Sequence, residues 1–351
     1  MPSKTTEPPV RPLSESINIA TRSVHAKLNK LIISRLPLSL PPVATDASQY
    51  VSGLLHIAPI YIAFESLWRE ILDSPDPLEL NAPEADSFCN TCDAEDAPDT
   101  PPVLCSRKRA LLTHLHFDDL QRSKTLQDDL QSLTGWSSCT LGEQLNQASF
   151  SPVLSHFLSH IRTSIESSPH VLLAYAWVLY MALFSGGRFI RAQLETVFPD
   201  FWVPASAHQQ QQMLGSLANP DPPNNSNFAA SSSAPLRFFR FDTPEDGEDI
   251  KREFKKRLAE CEALLTDGER DEIVQEARCI FDFMVRLTGE LDEICGTDLE
   301  AAESRLLGLR SRDSVVVERE RLAKRRSSSS DEPNLSPGSK NTGEGHVKFP
   351  S

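Results

Sequence analysis

His25 stands in "ATRSVHAKL" with Arg22 three residues before it and Asn18 seven before, a spacing that lines all three along one stripe of a helix. A neutral imidazole is a common metal ligand, and a guanidinium beside it can pair with a carboxylate. Taken alone, such a histidine is more often an ordinary helix residue. A second oddity is "LFSGGRFIRAQL", residues 183–194, which reads as helix on both sides of Gly186 and Gly187. Each glycine costs about 0.8–1 kcal/mol relative to alanine inside a helix. A flat or bulky group brought against the backbone would offset that loss, although the pair serves equally well as a helix-packing contact or a C-cap. Lys251 and Lys255 lie one turn apart in "IKREFKKRL", either on a solvated face or as a pair of anion contacts.

Other metal-type residues are less organised. Cys89 and Cys92 form "CNTC", but a structural zinc needs four ligands and only the distant His114 and His116 could complete the set. Two free thiols in a loop are the plainer reading. His156 and His160 share a helical face with no HExxH context and no acidic partner beside them in sequence, so satisfied surface histidines are expected.

The elements that must position these residues read as helices. Leu13, Ile17, Ala20, Val24, Leu28 and Leu31 step by three and four, predicting an amphipathic helix that ends before Pro37. "QYVSGLLHIAPIYIAFESLWREIL" predicts a second, with a kink at Pro59. "SFSPVLSHFLSHIRTSIE" predicts another, and "PHVLLAYAWVLYMALFSGGRFIRAQLETVF", apolar nearly all round, predicts a central one. Two amphipathic helices follow the "LRFFRF" strip. About eight helices around one core, with little that resembles a strand and no internal repeat, give an all-α fold. The expected organisation is an arm over 1–12, a helical domain over 13–325 with loop insertions near 74–103 and 203–235, and a tail without fixed structure over 326–351.

Composition narrows the partners. A net charge of -14 argues against nucleic acid, whose binders need a basic face. The most apolar stretch, "VLLAYAWVLYMALF", is the length of a buried core helix, so no membrane span is expected. The first residues lack the apolar region of a secretory signal, and seven cysteines without regular spacing form no disulfide framework. An intracellular, cytoplasmic, monomeric chain is the expectation.

"LSESINIATRSVHAKLNKLI" (13–32) taken together with "HVLLAYAWVLYMALFSGGRFIRAQL" (170–194) resembles the heme oxygenase family. There a first-helix segment of the form LSE…AT+xVH, with + a basic residue, supplies the proximal histidine, and a distal helix ending in GDLSGGQ lies over the other heme face. "HIAPIYIAFESLWREI", "LRFFRF", "DIKREFKKRL" and "EIVQEARCIFDFMVRL" are similar to later family segments in the same order, extending the resemblance over residues 13–293. It implies a helical bundle with heme between proximal and distal helices and His25 on the iron. Arg22, Lys251 and Lys255 would face the heme propionates, although the family's lysine at the position of Asn18 is absent. Trp177 and Phe281 would form apolar walls, unless they are core residues with no ligand nearby.

The resemblance breaks at one place. Where the family has a glycine and then the aspartate that anchors its distal water network, this chain has Ala182 and Leu183, and Leu179 replaces an arginine in the middle of the helix. Ser185, with Gly186 and Gly187, is left as the distal set. The implied function is oxidative opening of heme, at once cofactor and substrate, to biliverdin, carbon monoxide and ferrous iron. That chemistry needs O2 and electrons from an NADPH-dependent reductase or a ferredoxin-type donor, since no nucleotide-binding glycine fingerprint is present. The alternatives are a non-catalytic heme-binding or sequestering protein that lost the distal aspartate, and a helical scaffold that binds no heme.

Overall fold

The computed structural model describes residues 11–74, 106–204 and 235–297. Residues 1–10 of the arm, most of both insertions with the Cys89/Cys92 pair, the expected domain end at 325 and the tail lie outside the described residues. Among those described there is no strand, and nine helices carry the chain. They are α1 (Leu13–Arg35), α2 (Ser48–Asp73), α3 (Ser106–Leu115), α4 (Ser123–Thr134), α5 (Ser138–Ala148), α6 (Pro152–Ser167), the composite α7 (Pro169–Leu194), α8 (Glu248–Cys261) and α9 (Asp267–Ile294). The all-α expectation is met. Helices α4 and α5 have no counterpart in the apolar-stripe reading. Leu126, Leu130 and Leu133 are the buried apolar residues of α4, a stripe too narrow to stand out in a polar segment.

Helix α9 is the spine. Its start is written in the sequence: Thr266 Oγ1 accepts from the Glu269 amide at 3.2 Å while Glu269 Oε2 accepts from the Thr266 amide at 2.9 Å, a reciprocal capping box. Helix α1 lies along it. Arg270 donates to the Arg11 carbonyl, Arg278 to the Ala20 carbonyl, and Arg35 grips Asp292 with Nε at 2.7 Å and Nη2 at 2.5 Å. The sequence offset at these three points is nearly constant, 259, 258 and 257 residues, so the two helices run parallel in one register. That register sets which α9 side chains lie opposite each residue of α1.

Helix α2 continues unbroken through Pro59, which is buried, and packs against α4 and α6. Helices α2 and α7, each of 26 residues, are long and apolar enough to cross a membrane by length and composition alone, beyond what the shorter apolar runs suggested. α7 is mostly buried in the protein's own core, where every residue from Val171 to Tyr180 is buried. A helix apolar on all sides needs protein on all sides, and α2, α6 and α9 supply it.

Candidate functional site

His25 lies on the exposed side of α1. The α1–α9 register sets its ring 5.2 Å from that of Phe281, tilted by 46°. Its Nε2 is 3.1 Å from the Asn29 amide nitrogen, one turn on. With the amide donating, that nitrogen acts as an acceptor, and its lone pair is the one a metal would take. Further back on the same stripe Arg22 is exposed, and the Asn18 Oδ1 accepts from the Trp177 indole at 3.4 Å. This hydrogen bond ties α1 to the start of α7. Trp177 is buried and stacks toward Phe254 of α8, ring centroids 6.4 Å apart.

Helix α7 is wound unusually. Ala176–Tyr180 and Leu183–Gly187 are both π-helical, a form found mostly as single turns and often at functional sites. Wider turns loosen the usual backbone pairing, and hydroxyls take up two of the carbonyls: Tyr61 donates to Leu179 at 3.0 Å and Ser185 to Met181 at 2.8 Å. The second segment contains the glycine pair, and its two members differ. A Cβ on Gly187 would come within 3.3 Å of Phe239 Cδ1, so Gly187 is small because the "LRFFRF" strip packs on it. A Cβ on Gly186 would meet nothing within 4 Å. Ala182, Ser185, Gly186 and Phe189 together make an exposed face of α7. Leu183 and Leu179 are turned into the core, and Leu183 packs its Cδ2 against Gly187.

The cations are unevenly engaged. Lys251 is half-buried and pairs with Glu248 at 3.2 Å, and Glu248 also takes Arg188 of α7 at 2.6 Å. Lys255 and Arg22 are exposed, and among the described residues neither lies within ion-pair distance of a carboxylate. Lys251 and Lys255 flank Phe254, the α8 side chain buried against α7.

Residues that escaped the sequence reading hold α7 in place. Glu65, buried in α2, accepts from the Arg122 amide at 2.8 Å, the Ser123 amide at 3.0 Å and the Tyr180 hydroxyl at 3.1 Å. Two of these donors open α4, where a helix N-terminus favours a carboxylate. Arg122 turns its guanidinium onto the carbonyls of Asp119 and Arg240 and over the ring of Phe241, 4.2 Å from its centroid. A glutamate inside the apolar run "IAFESLW" was the signal. Asp129 anchors the strip by accepting from the amides of Arg237 at 3.1 Å and Phe238 at 2.8 Å.

The sequence profile of the family described as Heme oxygenase matches residues 105–290, more than half of the chain. The chain belongs to the heme oxygenase family. It is 26% identical over 291 residues to the heme-binding protein HMX1 of Saccharomyces cerevisiae, covering 80% of this chain and 76% of that one. Its fold is similar to that of heme oxygenase-2 from Synechocystis sp. PCC 6803, solved with heme and NO, with a TM-score of 0.52 and 15% identity over 84% of this chain and 91% of that chain.

For a heme oxygenase family member the fit of a heme can be judged on these residues. An imidazole nitrogen whose lone pair is held only by the Asn29 amide, an aromatic wall at Phe281, an unfilled side of α7 at Gly186 and, at Arg22 and Lys255, cations with no carboxylate partner among the described residues are the groups an iron porphyrin dicarboxylate would require. They fit. The structure brings Trp177 to Asn18 and Phe281 to His25, and it leaves Lys251 already engaged with Glu248.

Proposed function

We propose that this protein binds heme between α1 and α7 and opens it oxidatively to biliverdin, carbon monoxide and ferrous iron. The observation that carries the reading is His25, exposed beside the Phe281 ring and accepting at Nε2, on a helix that Asn18 ties to Trp177 of α7, the helix that carries the bare Gly186. Heme, when bound, would supply the iron at which O2 is reduced and the porphyrin that is attacked, with electrons from an external reductase or ferredoxin-type donor. The protein's part is positional. His25 holds the iron from the α1 side once Asn29 yields its hydrogen bond. Phe281 and Trp177 wall the ring, and Arg22 and Lys255 neutralise the propionates, with Lys251 joining them if Glu248 stays with Arg188. On the α7 side Ser185 and Gly186, the exposed members of the glycine segment, would face the ring, while Gly187 holds the helix against Phe239.

A second reading, heme binding without cleavage, is favoured by Leu183. It stands buried where the family has its distal aspartate, and Ser185 spends its hydroxyl proton on the Met181 carbonyl. The relative HMX1 is named for heme binding, which suits either reading.

Hemin titration of the purified protein separates them. A saturable one-to-one Soret shift that decays into biliverdin absorbance on addition of a reductase system in air supports the oxygenase. A Soret band that survives turnover conditions supports the binder. His25→Ala is expected to abolish the shift with helicity unchanged, and no shift in the unmodified protein would sink both readings.

A further inference from the structure

The far side of α9 carries a second cluster that heme binding does not use. Glu276 and Cys279 sit at i and i+3 of α9, and His160 of α6 meets them from the facing helix. His160 Nε2 is 3.0 Å from Glu276 Oε1, and one donor atom from each of the three side chains falls within 4.8 Å of the others. Glu276 is buried, while His160 and Cys279 are half-buried, which leaves a path for an ion. The buried Tyr175 phenol, at the start of α7, donates to Glu276 Oε1. His160 also rests against the ring of Phe283, centroids 5.1 Å apart, which fixes its plane.

We propose that His160, Glu276 and Cys279 form a binding site for a divalent transition metal of the zinc type. Imidazole nitrogen, carboxylate oxygen and thiolate sulfur are the three donor types zinc takes, and three protein ligands leave a fourth position open. Spacings of 3.0 to 4.8 Å between donors suit an ion seated among them after a small adjustment. Tyr175 orients the carboxylate from outside, as second-shell donors do in metal sites. A bound divalent ion would displace the thiol proton, so binding should release a proton. The three residues come from segments 116 residues apart, which is why neither half of the site has a sequence motif.

The test uses the full chain stripped with a chelator and then titrated with Co2+, read by its thiolate-to-metal charge-transfer band, and with Zn2+ in competition with a chromogenic chelator. The expected result is one equivalent of Co2+ giving the band, its loss in Cys279→Ser, and its persistence in a Cys89→Ser/Cys92→Ser variant. His160→Gln should weaken Zn2+ by more than tenfold and Tyr175→Phe by about tenfold. Helicity and the hemin response of Cys279→Ser should match the unmodified protein, which distinguishes a lost ligand from a lost fold. A band that survives Cys279→Ser and vanishes with Cys89 and Cys92 would overturn the proposal, as would no binding of either ion.

Discussion

At the residue scale the two adjacent glycines do different work. Gly187 is crowded by Phe239, and Gly186 faces open space. Gly186→Ala should therefore stabilise the ligand-free protein by about 0.5–1 kcal/mol through helix propensity while weakening hemin binding, because the new methyl enters the unfilled side of α7. Gly187→Ala should lose stability, since the Phe239 ring must give way. Paired denaturant melts and hemin titrations of the two variants check this, and identical behaviour would mean that neither glycine faces a ligand. Leu183→Asp is a harsher change. It sets a carboxylate in a buried position, so a loss of about 1–3 kcal/mol in urea unfolding is expected even if distal chemistry improves.

At the scale of elements, α9 depends on its first turn. Burial acts to raise the Glu269 carboxyl, but hydrogen bonds from Arg107 and from the Thr266 amide outweigh it and hold the group at about 2. A depressed carboxylate stabilises the fold above its ordinary range and loses that contribution as pH falls through about 2. Glu269→Gln should therefore cost about 1–2 kcal/mol at neutral pH and flatten the acid limb of the stability profile below the ordinary glutamate range. Thermal melts against pH give the answer. At the other end, Asp292→Ala removes the carboxylate that Arg35 grips and should cost about 1–3 kcal/mol, loosening the end of α1 beyond His25.

For the molecule as a whole, Asp129 acts in the opposite sense to Glu269. Burial raises it to about 6 against the lowering effect of the Phe238 and Arg237 amides. A group raised on folding contributes stability that is complete below its unfolded value and is lost as pH rises through about 6. The contribution of Asp129 should thus climb as pH drops from 7 toward 4, opposed there by His116 and His170, which burial holds below the ordinary imidazole value, and the acid limb follows as Glu269 protonates. Asp129→Asn should remove the climb and leave the acid limb intact, which a set of unfolding curves between those limits would reveal.

Sequence alone determined what depends on neighbours along the chain. The stripe from Leu13 to Leu31 and the nearly all-apolar α7 are periodic or local signals, and the family segments around His25 and Gly186 are short enough to read directly. Tertiary structure decided what depends on register between distant helices. The parallel alignment of α1 with α9 sets Phe281 beside His25, and the buried Glu65 reaches α4 and Tyr180 only because α2 crosses both. His160 is the sharpest case. Read along the chain it had no acidic partner and looked like a satisfied surface histidine, yet Glu276 lies 3.0 Å away. A carboxylate 116 residues on leaves no periodicity to detect, because pairing across the core is fixed by packing rather than by spacing.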